Sequence, residues 1–334
     1  MSRRLRVVAR LHAYPPCHNA GAEWMTHSML RALVVRGHDV RVHLFRSSRI
    51  HGRYELDGVQ VWSAHVASRT PGALAAGADV VLSHLEGVPY VKEAAARAGI
   101  PAVAICHNTH DQSFEEASGA DLAVYNSQWM REYAEKWYAS EVHGRAHPAP
   151  VRSLVVRPPV HAADYAVEPG DAVTLINLNE NKGGHQFWEL ARRLPEQPFL
   201  GVRGSYGEQI VERADNVTVL PHVPGSSMRE RVYARTRVLL ALSEYESWGR
   251  VAAEAAACGI PTIAHPTPGL TECLGEAGVF VDRDDLDGIE AALRRLLKPR
   301  AWATASRRAR ARSRQLDPAD ELDAWCEAVE GVAR

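Results

Sequence analysis

Residues 238–261 constrain the fold more than any other stretch of the chain. Val238-Leu239-Leu240-Ala241-Leu242 is an unbroken apolar run, the pattern of a buried strand. An alanine-rich segment follows, closed by Gly259 and barred from continuing by Pro261, so the order is strand, tight turn, helix, stop. The turn between them, Ser243-Glu244-Tyr245-Glu246-Ser247-Trp248-Gly249-Arg250-Val251, is where chemistry is expected. First-turn amides near Ser247 to Val251 lack intrahelical partners and share the positive end of the helix dipole, which suits a phosphate. Gly249 lets such a group approach the backbone. Glu246 precedes the helix and Glu254 lies about two turns into it, so one carboxylate can face the mouth of a site while the other reaches a hydroxyl-bearing group deeper in. Hydroxyls together with a diphosphate suggest a nucleotide sugar. The plainer alternative is a capping box of Ser243 and Glu246 with Glu254 as a solvated helix residue.

Glu246-Ser247-Trp248-Gly249 with Glu254, two glutamates separated by seven residues with an aromatic and a glycine between, resembles the hallmark of the retaining glycosyltransferases of family 4. The resemblance implies an α/β chain of GT-B fold: two doubly wound Rossmann-like domains facing a central cleft, with a C-terminal helix crossing back to the first. It also implies transfer of a sugar from a nucleoside diphosphate sugar to an acceptor hydroxyl with retained anomeric configuration.

A chain of 334 residues, 46% hydrophobic, is long enough for two cores of about 150 residues each. The formal net charge of −1 gives no broad electrostatic case for nucleic acid. Lys92, Lys136, Lys182 and Lys298 stand in a chain whose basic residues are otherwise arginine, which draws attention to Lys182. Five cysteines without paired spacing argue against a disulfide framework or zinc site and for a reducing compartment, by default the cytoplasm. Arg10 and His12 interrupt the first apolar run too early for a signal peptide, and no stretch is long enough to span a membrane.

The first half alternates strand and helix. Strands are expected at 5–11, 40–45, 79–82, 101–106, 122–125 and 154–156, and helices at 22–35, 91–98 and from about Ser127, a pattern that implies a parallel sheet with ligands at the carboxyl ends of its strands. Three candidate groups stand at such ends: the loop 14–23, His84, and Cys106-His107-Asn108-Thr109-His110. No G-x-G-x-x-G follows the first strand, so a dinucleotide fingerprint is absent. In the resembled family the first loop carries two glycines and then Ala-Glu near the donor phosphate; here Ala20-Gly21-Ala22-Glu23 keeps Gly21 alone. His107 falls where the family places a histidine beside the transferred sugar. Trp129, Met130, Tyr133, Trp137 and Tyr138 form an aromatic stripe that reads either as core packing or as a patch for peripheral membrane contact.

Arg157-Pro158-Pro159 and the polar segment 161–170 read as a linker between a first domain, 1–160, and a second, 171–314, with 315–334 as the returning helix. The second half repeats the alternation, with strands expected at 172–176, 199–202, 217–220, 238–242, 261–264 and 279–281 and helices at 186–194 and 228–234. Asn177-Leu178-Asn179-Glu180-Asn181-Lys182-Gly183-Gly184 puts a lysine and two glycines at a helix start, a place for phosphate. Lys182 matches the family's diphosphate lysine, whereas the arginine usual five residues earlier is Asn177. Arg203 is expected to replace it from the end of the neighbouring strand. Thr267-Pro268-Gly269-Leu270-Thr271-Glu272 matches a further family loop with Pro268 in place of a glycine. Leu322, Trp325, Cys326 and Val329 give the C-terminal segment one apolar helical face.

The expected catalytic residues are therefore Glu246, His107 and Lys182. The donor is expected to be held by Gly21, Lys182, Arg203, Glu246, Ser247, Trp248, Gly249, Arg250, Val251 and Glu254. No Asp-x-Asp stands in a suitable loop, so neither a metal nor another cofactor is expected, the nucleotide sugar being a co-substrate. The acceptor, whether glycan, lipid, small molecule or protein, is open. A nucleotide-sugar epimerase of similar architecture and a catalytically silent sugar-nucleotide-binding protein are the alternative readings.

Overall fold

The computed structural model describes residues 3–18, 20–46, 49–205 and 207–334. Asn19 of the first candidate loop and Tyr206, which follows Arg203-Gly204-Ser205, lie outside the described residues. The chain divides into two compact units, Met1–Pro159 with Pro318–Arg334, and Val160–Asp317.

In the first unit the strands are β1 (Arg6–Leu11), β2 (Asp39–Leu44), β3 (Arg53–Leu56), β4 (Val59–Trp62), β5 (Val80–His84), β6 (Ala102–Cys106) and β7 (Leu122–Tyr125), then a small ribbon of β8 (Glu141–Val142) and β9 (Arg145–Ala146), then β10 (Ser153–Val155). The main sheet runs β10-β7-β6-β5-β1-β2-β4-β3 and is parallel except where β3 pairs with β4. β1, β5 and β6 are nearly continuous apolar runs because helices cover both faces of such a sheet. The chain builds outward from β1 through β2 to β4 and β3, then returns to β5 and builds the other way. The sheet order thus reverses between β1 and β5.

The second unit has β11 (Ala172–Ile176), β12 (Phe199–Val202), β13 (Val217–Leu220), β14 (Thr236–Ala241), β15 (Thr262–Ala264) and β16 (Val279–Phe280), all parallel, in the order β13-β12-β11-β14-β15-β16. Here the reversal lies between β11 and β14. Of the segment expected as a linker, residues 157–159 close the first unit's opening stretch and the polar stretch 161–170 is part of the second unit. Its short helix Ala162–Tyr165 packs on the second unit, and the Tyr165 hydroxyl donates to Glu254 at 2.9 Å.

The helix Ala319–Val332 belongs to the first unit. Trp325 is fully buried beside Met25, Met29 and Leu30, and its Nε1–H donates to the Met29 carbonyl at 2.9 Å, which satisfies the one polar atom that burial would otherwise strand. Glu321 accepts from the Arg157 backbone N–H at 2.7 Å, and Glu330 bonds His38 Nε2 and Arg36 Nε at 3.2 Å each. The aromatic stripe of the helix Gln128–Tyr138 is largely core: Met130, Ala134 and Trp137 are buried, Trp137 donates to Asp111 and Tyr138 to the Phe114 carbonyl, and Tyr133 is exposed. Among the described residues no helix is long and apolar enough to cross a membrane.

Truncating Trp325 leaves a large cavity in the first unit's core. Trp325→Ala should destabilise the first unit by about 3–5 kcal/mol. Denaturant unfolding that follows first-unit and second-unit tryptophans separately would check this, with the loss confined to the first.

Candidate functional site

The second unit assembles its polar residues where its sheet order reverses. The loops after β11 and β14 leave adjacent strands in the same direction, the place where open parallel sheets bind ligands. After β11, Asn177 takes a left-handed backbone (φ 71°) and its amide oxygen accepts from Gln209 at 2.9 Å. Asn179 caps the following turn by accepting the Lys182 N–H at 2.9 Å. Gly183 then turns at φ 94° into the helix Gly184–Arg193. A Cβ at Gly183 would lie 2.7 Å from Leu242 Cβ, and one at Gly184 would lie 2.6 Å from the Leu178 carbonyl, so both glycines are dictated by close packing.

After β14, Glu246 Oε1 accepts from Ser243 Oγ at 3.0 Å and from Lys182 Nζ. Lys182 and Glu246, two of the expected catalytic residues, are therefore brought together, each with about a fifth of its side chain exposed. The two loops are tied further by the Glu244 N–H donating to the Asn181 carbonyl at 2.8 Å. Arg283 reaches the carbonyls of Asn181 and Glu180 at 3.2 and 2.9 Å. Gly269 explains the loop 267–272: a Cβ there would lie 2.3 Å from the Glu246 carbonyl oxygen and 2.6 Å from the Trp248 nitrogen. This loop is a backing plate for the glutamate turn.

Two expectations change in detail. The helix begins at Arg250, with Gly249 at φ 101° before it, so Ser247 and Trp248 lie in the loop and the first-turn amides start later than expected. Trp248 is core, packed with Leu270 in one apolar cluster. Glu254 is buried, unlike the solvated residue of the plainer alternative, and both its oxygens are engaged by protein hydroxyls and a guanidinium. Oε1 accepts from Tyr165 at 2.9 Å and from Arg250 Nε at 2.8 Å, and Oε2 from Tyr233 at 2.6 Å. Burial and the Glu254 charge raise the Tyr233 pKa, keeping its hydroxyl a donor. Arg203 follows β12, the other neighbour of β11, and is exposed, with its backbone N–H donating to Leu220.

The first unit also gathers its polar residues at its reversal point. His12 follows β1 and stacks on His84, the last residue of β5, with ring centroids 5.0 Å apart. His84 Nδ1 lies 2.9 Å from His107 Nε2. Glu23, in the first turn of the helix Gly21–Val35, sets one oxygen 3.1 Å from His12 Nε2 and 3.2 Å from His18 Nδ1. Burial lowers the pKa of both His84 and His107, the latter to about 4, so these imidazoles are neutral near pH 7. Burial alone would raise Glu23, but the His12 hydrogen bond and the neighbouring imidazoles hold it at about 2. His110 is exposed and lies outside this group, and a Cβ on Gly21 would meet nothing within 4 Å. Glu23 as the hub, like Arg283 and the Tyr165–Tyr233 pair, was not singled out from sequence. An acidic residue two positions into a helix after a histidine-bearing loop is the signal that was there to use. Among the described residues no group of three or more His, Cys, Asp or Glu is arranged to hold a metal ion.

With this geometry in hand, similarity to known proteins becomes specific. Residues 172–299 match the family described as Glycosyl transferases group 1. The chain is 32% identical over 97 residues to O-antigen chain mannosyltransferase B of Escherichia coli, covering 28% of this chain and 25% of that protein. It is 35% identical over 121 residues to D-inositol 3-phosphate glycosyltransferase of Acidothermus cellulolyticus, covering 36% of this chain and 25% of that protein. These matches span about a quarter of each relative's length. In fold, the chain is similar to Anabaena HepE, solved with UDP-glucose, at TM-score 0.76 and 16% identity over 98% of this chain and all of that one. Both units thus have the architecture of GT-B glycosyltransferases.

Because Glu23 is more acidic in the folded chain than in the unfolded one, it binds its proton less readily when folded. Its stabilisation is present above the unfolded value near 4.5 and is lost as pH falls towards 2. Glu23→Gln should make acid unfolding between about pH 4.5 and 2 shallower, as read by circular dichroism at fixed denaturant.

Proposed function

We propose that this chain, whose residues 172–299 belong to the group 1 glycosyltransferases and whose fold is GT-B, moves a hexosyl unit from a nucleoside diphosphate sugar to an acceptor hydroxyl with retained anomeric configuration. The observation that carries the reading is the Lys182–Glu246 pair at the strand-order reversal, flanked by two helices that each begin at a left-handed glycine. In this reading an arriving diphosphate takes Lys182 from Glu246. The freed carboxylate then accepts hydroxyls of the donor sugar. As the sugar–oxygen bond breaks, negative charge gathers on the leaving diphosphate, and Lys182, the amides at the start of Arg250–Ala257 and Arg203 stabilise it. Arg250 is held by Glu254, and a ribose hydroxyl reaches Glu254 by taking the place of Tyr165. His107 and Gly21 are assigned to the transferred sugar and donor phosphate by resemblance.

The names of the relatives support a hexosyl donor carried on a nucleotide: one is a mannosyltransferase, and HepE was solved with UDP-glucose. Two phosphate-facing helix starts and a lysine supply the positive charge that a metal would otherwise bring, so the reaction is read as metal-independent. Five unpaired cysteines suit a reducing cytoplasm.

Incubation with UDP- and GDP-hexoses and an acceptor panel, followed by mass spectrometry, tests the transfer. A glycoside with matching release of nucleotide is expected. Donor isomerised without acceptor would mark an epimerase, and a bound donor never turned over would mark a binding protein. Glu246→Ala should lower kcat on the order of 100-fold with nucleotide affinity kept. Glu254→Gln should instead weaken nucleoside diphosphate binding about 10-fold by calorimetry, through loss of charge-assisted contacts. Equal loss of affinity in both variants would contradict this division of roles. Excess EDTA should leave the transfer rate within about twofold, and loss restored by magnesium or manganese would overturn the metal-independent account.

A further inference from the structure

The first unit has its own pocket, of about 530 Å³, lined by His12, Ala13, Tyr14, Cys17, His18, Arg46 and Arg49. That volume is in the range of small-molecule sites. Among the described residues its titratable lining carries no carboxylate: two imidazoles and two guanidiniums face it, with a phenol and a thiol. The carboxylate beside this region, Glu23, is buried and sets one oxygen 3.1 Å from His12 Nε2 and 3.2 Å from His18 Nδ1. On two of the lining residues, His12 and His18, the Nδ1 atoms are buried with no hydrogen-bond partner among the described residues. Such groups cost free energy unless a bound molecule satisfies them. At the mouth Arg46 pairs with Glu86 at 2.5 Å, an exposed pair of the kind that contributes little and exchanges readily, and Arg49 is exposed.

From this arrangement we infer that the pocket binds a small molecule carrying both a phosphate and hydroxyl groups, the phosphate gripped by Arg46 and Arg49 and the hydroxyls bonded at His12 and His18. Guanidinium forks match phosphate oxygens two at a time, and a ring nitrogen without a partner is suited to a hydroxyl. That the occupant is the sugar acceptor rests on the transferase reading above; that a sugar phosphate binds here does not.

Calorimetry on the full chain with glucose 6-phosphate, glucose, inorganic phosphate and UDP separates the two. Glucose 6-phosphate should bind at least 10-fold more tightly than glucose or inorganic phosphate. The double variant Arg46→Ala/Arg49→Ala should lose that binding at least 10-fold and keep UDP binding, while Lys182→Ala should do the reverse. Both arginines are exposed, so the double variant keeps its fold, and its unfolding temperature checks this. The inference is overturned if glucose 6-phosphate binds no better than glucose or than inorganic phosphate, if it does not bind at all, or if its binding falls in Lys182→Ala and survives in the arginine variant. Failure of UDP to bind the wild-type chain would count against the transferase reading alone.

Discussion

A parallel sheet that grows in one direction from a central strand and then in the other must leave two adjacent strands whose following loops run to opposite faces. Between those loops a crevice opens that no helix crosses. This topological constraint fixes where each unit of the chain can hold polar groups without stranding them in a core. In the second unit the crevice falls between β11 and β14, where Lys182 meets Glu246; in the first it falls between β1 and β5, where His12 stacks on His84. The rest of each unit serves to hold those two strands side by side. Glycines 184 and 269 follow from it because backbone approaches backbone closely there, and glycines 183 and 249 because each turns left-handed against a leucine side chain.

Charge at the two crevices is managed differently. In the second unit a carboxylate and an ammonium neutralise each other while both remain partly in contact with solvent, so either can be exchanged for a ligand group at modest cost. In the first unit Glu23 is buried and far more acidic than an ordinary glutamate. One arrangement is open to exchange with solvent and the other is buried.

The sequence made the second unit's framework legible. Ala172–Ile176, Phe199–Val202 and Val217–Leu220 are strands with the expected limits because each is a short apolar run between turn residues. The pairing of Lys182 with Glu246 was approachable too, since each stands in a polar loop after a strand expected to belong to one sheet. The hairpin of β3 and β4 was not legible: at a sheet edge only one face is buried, and the run Arg53–Leu56 alternates exposed with half-buried residues. The partners of Glu254 were out of reach for another reason. Tyr165 and Tyr233 stand 89 and 21 residues away, and periodicity reports which face of a helix is buried, not which hydroxyl meets it. Tyr165 also sat in a segment whose polar composition suggested a linker, although Val160, Tyr165 and Val167 pack it against the second unit's core.

The helix Ala319–Val332 carries a consequence for how the molecule comes into being. By chain order the second unit is an insertion: the first unit is opened at Pro159, interrupted for the length of Val160–Asp317, and resumed by Pro318–Arg334. Trp325 fills a slot against Met25, Met29 and Leu30, residues synthesised some three hundred positions earlier. During synthesis from the N-terminus the second unit has all its strands before the first has its last core side chain. The earlier half of the chain is thus the later to mature, and a polypeptide interrupted near residue 317 would possess a complete second unit joined to a first with an open apolar groove.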